Sequence, residues 1–135
     1  MSSTNGGKAK KFDWELITPR ISIQNHEGRV HEYELTEIFE IINWLKDKFS
    51  DQWFPLANNV ELMSNGTEKD GLGTAILNSK PNDITHAQGA SYLGVVLQEI
   101  GIFEWNHAKR GIEWKIVNPP KTISELQQML TGKNG

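Results

Sequence analysis

Four histidines, His26, His31, His86 and His107, are the side chains of this chain best suited to bind a metal or to move a proton near neutral pH. No two of them stand at the spacing of a metal-ligating pair, and there is no cysteine to complete a site. His86 and His107 fall at the start of a predicted helix and at a predicted loop tip. The acids Glu61, Glu68 and Asp70 share a loop-like stretch that offers neither a base nor a nucleophile beside them. Gly71-Leu72-Gly73 has neither the length nor the lysine of a phosphate-binding loop. These patterns predict no catalytic residue, no metal and no cofactor. The chain is expected not to be an enzyme.

The elements that would position any binding residues are easier to read. The 135 residues are 37% hydrophobic and suffice for one domain with a single core. A mean hydropathy of -0.51 and the absence of about 18 consecutive apolar residues argue against a membrane span. Without cysteines a disulfide framework is excluded. Met1 to Lys11 has no apolar run like that of a signal peptide, so a cytoplasmic location is expected and Asn65-Gly66-Thr67 reads as a turn.

The formal charge of -3 hides a gradient. Lys8, Lys10 and Lys11 make the first 12 residues basic, whereas residues 13–70 hold five basic and twelve acidic side chains. Residues 71–121 hold five basic and four acidic side chains, so the acidic bulk lies in the first half.

Residues 1–11, small, polar and basic, are expected to form a disordered tail. Ile21 and Ile23 alternate with polar residues up to Asn25-His26-Glu27-Gly28, and Val30 to Leu35 follows, which predicts a β-hairpin. Thr36 is placed as the cap of an amphipathic helix whose stripe is Leu35, Ile38, Ile42, Leu45 and Phe49. Residues 50–70 are the least regular, with Val60 to Met63 open to either a short strand or a helical turn. A short helix capped by Asp70 should turn Leu72, Ala75 and Ile76 inward.

Thr85 and Gln88 match a capping box opening the next helix. Its buried stripe is Leu93, Val96, Leu97 and Ile100, and Gly101 supplies its left-handed stop. Phe103 to Trp105 and Ile112 to Ile116 then alternate as two strands. A register of Trp105 opposite Trp114, Glu104 opposite Lys115 and Phe103 opposite Ile116 pairs every side chain favourably. It leaves residues 107–111 as the loop. After Pro119-Pro120, Thr122 to Glu125 repeats the capping pattern before a short helix at 123–131. The stripe from Ile123 to Leu130 would fold back on the core or zip to a second copy.

A core helix, a short helix, a capped helix ending in Gly and a tight hairpin resemble the winged helix-turn-helix superfamily. The similarity is carried by Leu93-Gly94-Val95-Val96-Leu97-Gln98-Glu99-Ile100-Gly101-Ile102-Phe103 and the hairpin with its basic tip. It covers residues 35–117. The implied fold class is α+β: a winged helix-turn-helix at residues 12–118 with an added N-terminal β-hairpin, and an extension at 119–135.

The resemblance implies a DNA-binding protein, a regulator or accessory factor of a DNA-processing system that works as a dimer or in a complex. By position, His86, Gln88, Ser91, Tyr92, Val95 and Gln98 would form the exposed helix face. Gln88 and Ser91 would address base edges, and Tyr92 would bond a phosphate or stack. Lys109 and Arg110 at the wing tip, with the tail lysines, would meet double-stranded DNA at its backbone. Yet no Lys or Arg stands between Ile84 and Ile102, so the wing and tail must carry most of any such affinity. The alternative is an interaction module that holds a protein partner on the small-residue helix face of Gly89, Ala90 and Gly94 or on the chain's acidic N-terminal half.

Overall fold

The computed structural model describes residues 2–7 and 9–133; Lys8, one of the tail lysines, lies outside them. The chain is a mixed α+β fold that begins with an antiparallel sheet. Strands β1 (Ser2–Ser3), β2 (Lys11–Ile17), β3 (Arg20–Asn25) and β4 (Val30–Glu34) pair in sequence order. The predicted hairpin is β3–β4, with Ile23 opposite His31 and Ile21 opposite Tyr33.

Two further strands precede the predicted hairpin. Phe12, Trp14 and Leu16 alternate with Lys11, Asp13 and Glu15, which suits one face packed and one face wet. Ser2 and Ser3, within the stretch expected to form a disordered tail, pair with Phe12 and Lys11 as an edge strand. Its polar side chains gain partners only through tertiary contact: the Ser2 hydroxyl donates to Glu99 (2.6 Å to Oε2) and Asn5 Nδ2 to Gln98 Oε1 (2.8 Å).

Helix α1 (Leu35–Phe49) starts one residue before the predicted cap. Glu34 occupies the cap position and makes no side-chain cap bond, in place of Thr36. Ile38, Ile41, Ile42 and Leu45 are fully buried. The stretch that resisted reading contains β5 (Phe54–Pro55) and α2 (Val60–Asn65), whose cap Asn59 accepts from the Leu62 amide at 3.0 Å. Helix α3 (Leu72–Ser79) follows Gly71, not Asp70, and Leu72, Ala75 and Ile76 face inward as expected.

The helix predicted to open at Thr85 is two. In α4 (Ile84–Gln88) Asp83, not Thr85, is the cap, accepting from the His86 amide at 3.0 Å. The chain breaks at Gly89 and continues as α5 (Ala90–Glu99). Gly101, at φ +86, stops it as predicted, with the Ile102 amide donating to the Leu97 carbonyl at 3.0 Å. Strands β6 (Phe103–Trp105) and β7 (Glu113–Ile116) pair in the predicted register. β5 adds to the other side of β7, giving a three-stranded sheet of order β5-β7-β6.

Finally α6 (Ile123–Lys133) packs on α1, with Leu126 and Leu130 fully buried. Its stripe folds back on the core. Thr122 caps it as expected, accepting from the Glu125 amide at 3.0 Å, and the helix runs through Gly132 where a stop was predicted.

Helix α5 is the centre of the molecule. Tyr92, Leu93, Gly94, Val95, Val96 and Leu97 are all buried. The four-stranded sheet and its edge β1 cover one side, and α3 with the three-stranded sheet the other. A Cβ on Gly94 would lie 2.5 Å from the indole ring of Trp114, and one on Gly89 only 1.9 Å from the Tyr33 hydroxyl. The small-residue face expected to receive another protein is filled by this chain's own aromatic side chains. Gly94→Val should therefore overpack the Trp114 contact and cost about 1–3 kcal/mol, read as a lowered denaturation midpoint at unchanged denaturant dependence.

Candidate functional site

Two polar features survive inside this packing. The first is a buried cluster joining three helices. Glu37 on α1 and His86 on α4 are 7% and 9% exposed, and His86 Nε2 lies 2.5 Å from Glu37 Oε2. Ser79 at the end of α3 donates to the same carboxylate oxygen at 2.7 Å. Tyr33 of β4 stacks on the His86 ring at 4.5 Å between centroids and donates its hydroxyl to the His86 carbonyl at 2.7 Å. Burial opposes ionisation of Glu37. The hydrogen bonds from His86 and Ser79, with the His86 and Lys80 charges, outweigh it and hold the carboxyl below its ordinary value. Burial, with Glu37 and Asp83 nearby, pushes the Tyr33 phenol far above its own, so it stays a neutral donor.

The second feature is a cleft of about 390 Å³ at the seam between the N-terminal sheet and the helical layer. His31 of β4 and Tyr92 of α5 lie at its base, 6% and 8% exposed, with ring centroids 5.6 Å apart. Asn25 at the end of β3 donates Nδ2 to the Tyr92 hydroxyl at 3.4 Å. Gln88 and Ser91 line it from either side of the Gly89 break, and Asn58 joins them by donating Nδ2 to the Gln88 carbonyl at 3.3 Å. Leu56 and Ile112 supply apolar wall. Lys10 and Arg29 stand exposed at the mouth, with Glu27 the one acid among the lining residues. Burial, with the Arg29 and His86 charges, lowers the affinity of His31 for a proton. At neutral pH its ring is a neutral hydrogen-bonding group.

A second depression adjoins the cleft, lined by Asn5, Gly7, Lys109, Arg110 and Ile112. Asn5 and Ile112 border both. The loop after β6 is held there by the Gly7 amide, which donates to the Lys109 carbonyl at 3.2 Å. Lys109 and Arg110 themselves are exposed.

The structure thus gathers the five predicted contact residues onto one continuous surface, but not as a helix face. Tyr92 is a buried packing residue whose edge meets Phe12 at 5.2 Å between centroids. His86 and Val95, expected on the exposed face, are buried as well. Gln88, expected to cap its own helix, is freed by Asp83 and opens into the cleft. Sequence reading placed Lys10 with the tail lysines as a backbone contact and missed Asn25, Arg29, His31 and Asn58 as neighbours of this site. Their signal lay in strand register: His31 falls on the inward face with Tyr33, yet nothing local says which helix that face meets.

Both depressed groups make the fold acid-sensitive. The unfolded chain takes up a proton on His31 below its ordinary pKa of 6.5 where the folded chain does not, so stability falls as pH drops through that window. A further loss follows below the ordinary Glu37 value of 4.5, completed as pH falls through its lower folded value. Unfolding against pH should show two stages, with His31→Phe removing the upper and Glu37→Gln the lower. His86→Ala, which strands a buried carboxylate, should cost about 3–5 kcal/mol near neutral pH.

No protein-family model, no curated protein and no solved structure matches this chain, so its geometry stands alone as the guide to function.

Proposed function

We propose that this chain is a nucleic-acid-binding protein of winged-helix type, contacting DNA along the cleft and the adjoining hairpin loop. The observation that carries the reading is the placement of Lys10 and Arg29 at a polar cleft that holds Gln88 and Ser91, beside a depression bordered by Lys109 and Arg110. Glu27 is the one acid lining the cleft, and further acids lie on the other face of the sheet, where Arg20 pairs with Glu32. Asp13, Glu15, Glu32 and Glu34 are exposed on the far face of the N-terminal sheet, so a polyanion is steered to the cleft side. The winged-helix part of the reading is supported by the order of α1, α3, α5 and a β6–β7 hairpin, with β5 completing a small sheet.

The mode of contact differs from a helix laid in the major groove. Helix α5 is covered on both sides, and its first turn at Ser91, with Gln88 at the end of α4, opens toward the cleft. Cationic side chains of the loop and the sheet edge would hold the phosphates, with the polar cleft between them. A role as regulator or accessory factor of a DNA-processing system accords with such a surface. The protein-module alternative keeps the acidic first half of the chain as its surface, because the face of Gly89, Ala90 and Gly94 is filled by this chain itself.

Binding to short duplex and single-stranded DNA, followed by fluorescence anisotropy over a salt series, should weaken steeply with salt. Changing Lys109 and Arg110 together to Ala should reduce the slope of log K against log salt by roughly 1.5–2. Absence of binding to either form at low salt would remove the proposal.

A further inference from the structure

The cleft has the furnishings of a pocket and not only of a surface. Its volume of about 390 Å³ lies in the range of small-ligand sites, roughly 300–1,000 Å³. Among the described residues the side chains of His31, Gln88 and Ser91 make no hydrogen bond, although His31 is only 6% exposed. Its ring nitrogens stay open to the cleft, so the imidazole can meet a ligand there in place of solvent. Asn58 spends its amide nitrogen on the Gln88 carbonyl and keeps its oxygen. Gln88 keeps both ends of its side-chain amide.

The class of partner follows from these groups. Carboxamides that present a donor and an acceptor side by side match the edge of a nucleobase. Lys10 and Arg29 at the mouth, in no ion pair among the described residues, call for an anionic group bound outside the polar base. Leu56 and Ile112 offer apolar wall for a flat ring. A paired base inside a duplex cannot enter such a recess, whereas an unstacked one can. The recess also runs through Asn5 and Ile112 into the depression beneath Lys109 and Arg110, where a neighbouring phosphate would lie.

We propose that the cleft takes up one unpaired nucleotide, its base edge hydrogen-bonded by Gln88 and Asn58 over His31, its phosphate held by Lys10 and Arg29. This rests on the nucleic-acid reading for its occupant's source. A nucleoside monophosphate free in solution and one unit of a single strand share the same chemistry, and the experiment separates them.

The full chain is titrated with the four ribonucleoside monophosphates, with inorganic phosphate, with a short single-stranded oligonucleotide and with a blunt duplex. The His31 ring resonances report cleft occupancy. Expected is a preference for single strand over duplex, perturbation of His31 by at least one monophosphate but not by phosphate alone, and competition between that monophosphate and the strand. Gln88→Ala should weaken strand binding roughly tenfold while leaving its salt slope unchanged, unlike the Lys109 and Arg110 change. Gln88→Glu, nearly the same shape, should weaken it at least as much, with thermal melting confirming that both variants fold.

If monophosphates act no differently from phosphate and both Gln88 variants bind strand normally, the pocket is overturned while binding through the hairpin loop stands. If a monophosphate binds at His31 and no strand does, the pocket stands with a free nucleotide as occupant and the nucleic-acid reading falls. If neither binds, both fall.

Discussion

Two glycines bordering or within one helix let two sheets close on it from different sides. At Gly89 the chain passes so near the Tyr33 hydroxyl that a methyl group could not be fitted, and at Gly94 the same holds for the indole of Trp114. Tyr33 belongs to the N-terminal sheet and Trp114 to the middle strand of the small sheet. With both rings seated against its backbone, α5 becomes the shared core of the two layers. An interior closely packed on two sides has little room to yield, so the position of every other element is referred to this helix.

The cleft is a consequence of that arrangement. Sheet and helices meet tightly where Phe12 and Tyr92 touch, and diverge beyond it toward the Gly89 break. The break ends α4 at Gln88 and restarts the chain at Ala90, which turns Gln88 and Ser91 toward the opening. His31 sits where the inward face of β4 runs past the last well-packed layer. The side chains here are polar because water or a ligand reaches them. One turn away, the Glu37 and His86 pair is sealed, and its remaining carboxylate oxygen has no partner among the described residues. A hydrogen-bonded carboxylate and imidazole so placed contribute less to net stability than to holding α1, α3 and α4 in one relation, since each partner alone would be costly to bury.

How much of this was legible beforehand depended on whether a local pattern had a single solution. The β6–β7 register followed from Trp105, Glu104 and Phe103, because shifting it by one residue turns every apolar side chain outward. The stop at Gly101 followed from the left-handed conformation that glycine adopts cheaply. The start of α4 was misread since Thr85 and Asp83 are both good caps, and the choice was made by His86, whose place beside Glu37 sets where the helix begins. Strand β2 had a readable alternation in Phe12, Trp14 and Leu16. The pairing of Ser2 and Ser3 had none, as it depends on Glu99 and Gln98 nearly a hundred residues away.

The surface residues Lys109 and Arg110, the stretch from Ile84 to Gln98 without Lys, Arg, Asp or Glu and the basic start of the chain are properties of the sequence by itself. So are the amphipathic α1 and the helix-then-hairpin unit, because side-chain periodicity and glycine stops act over a few residues. Which face of α5 is left open was decided only in three dimensions. A helix with apolar or small residues on every side can be buried anywhere a partner surface exists, and the N-terminal sheet, folding over it, took the face that an exposed helix would have offered. That same closure brought Lys10, Arg29 and His31 to Gln88 and Ser91, a meeting that no spacing along the chain encodes.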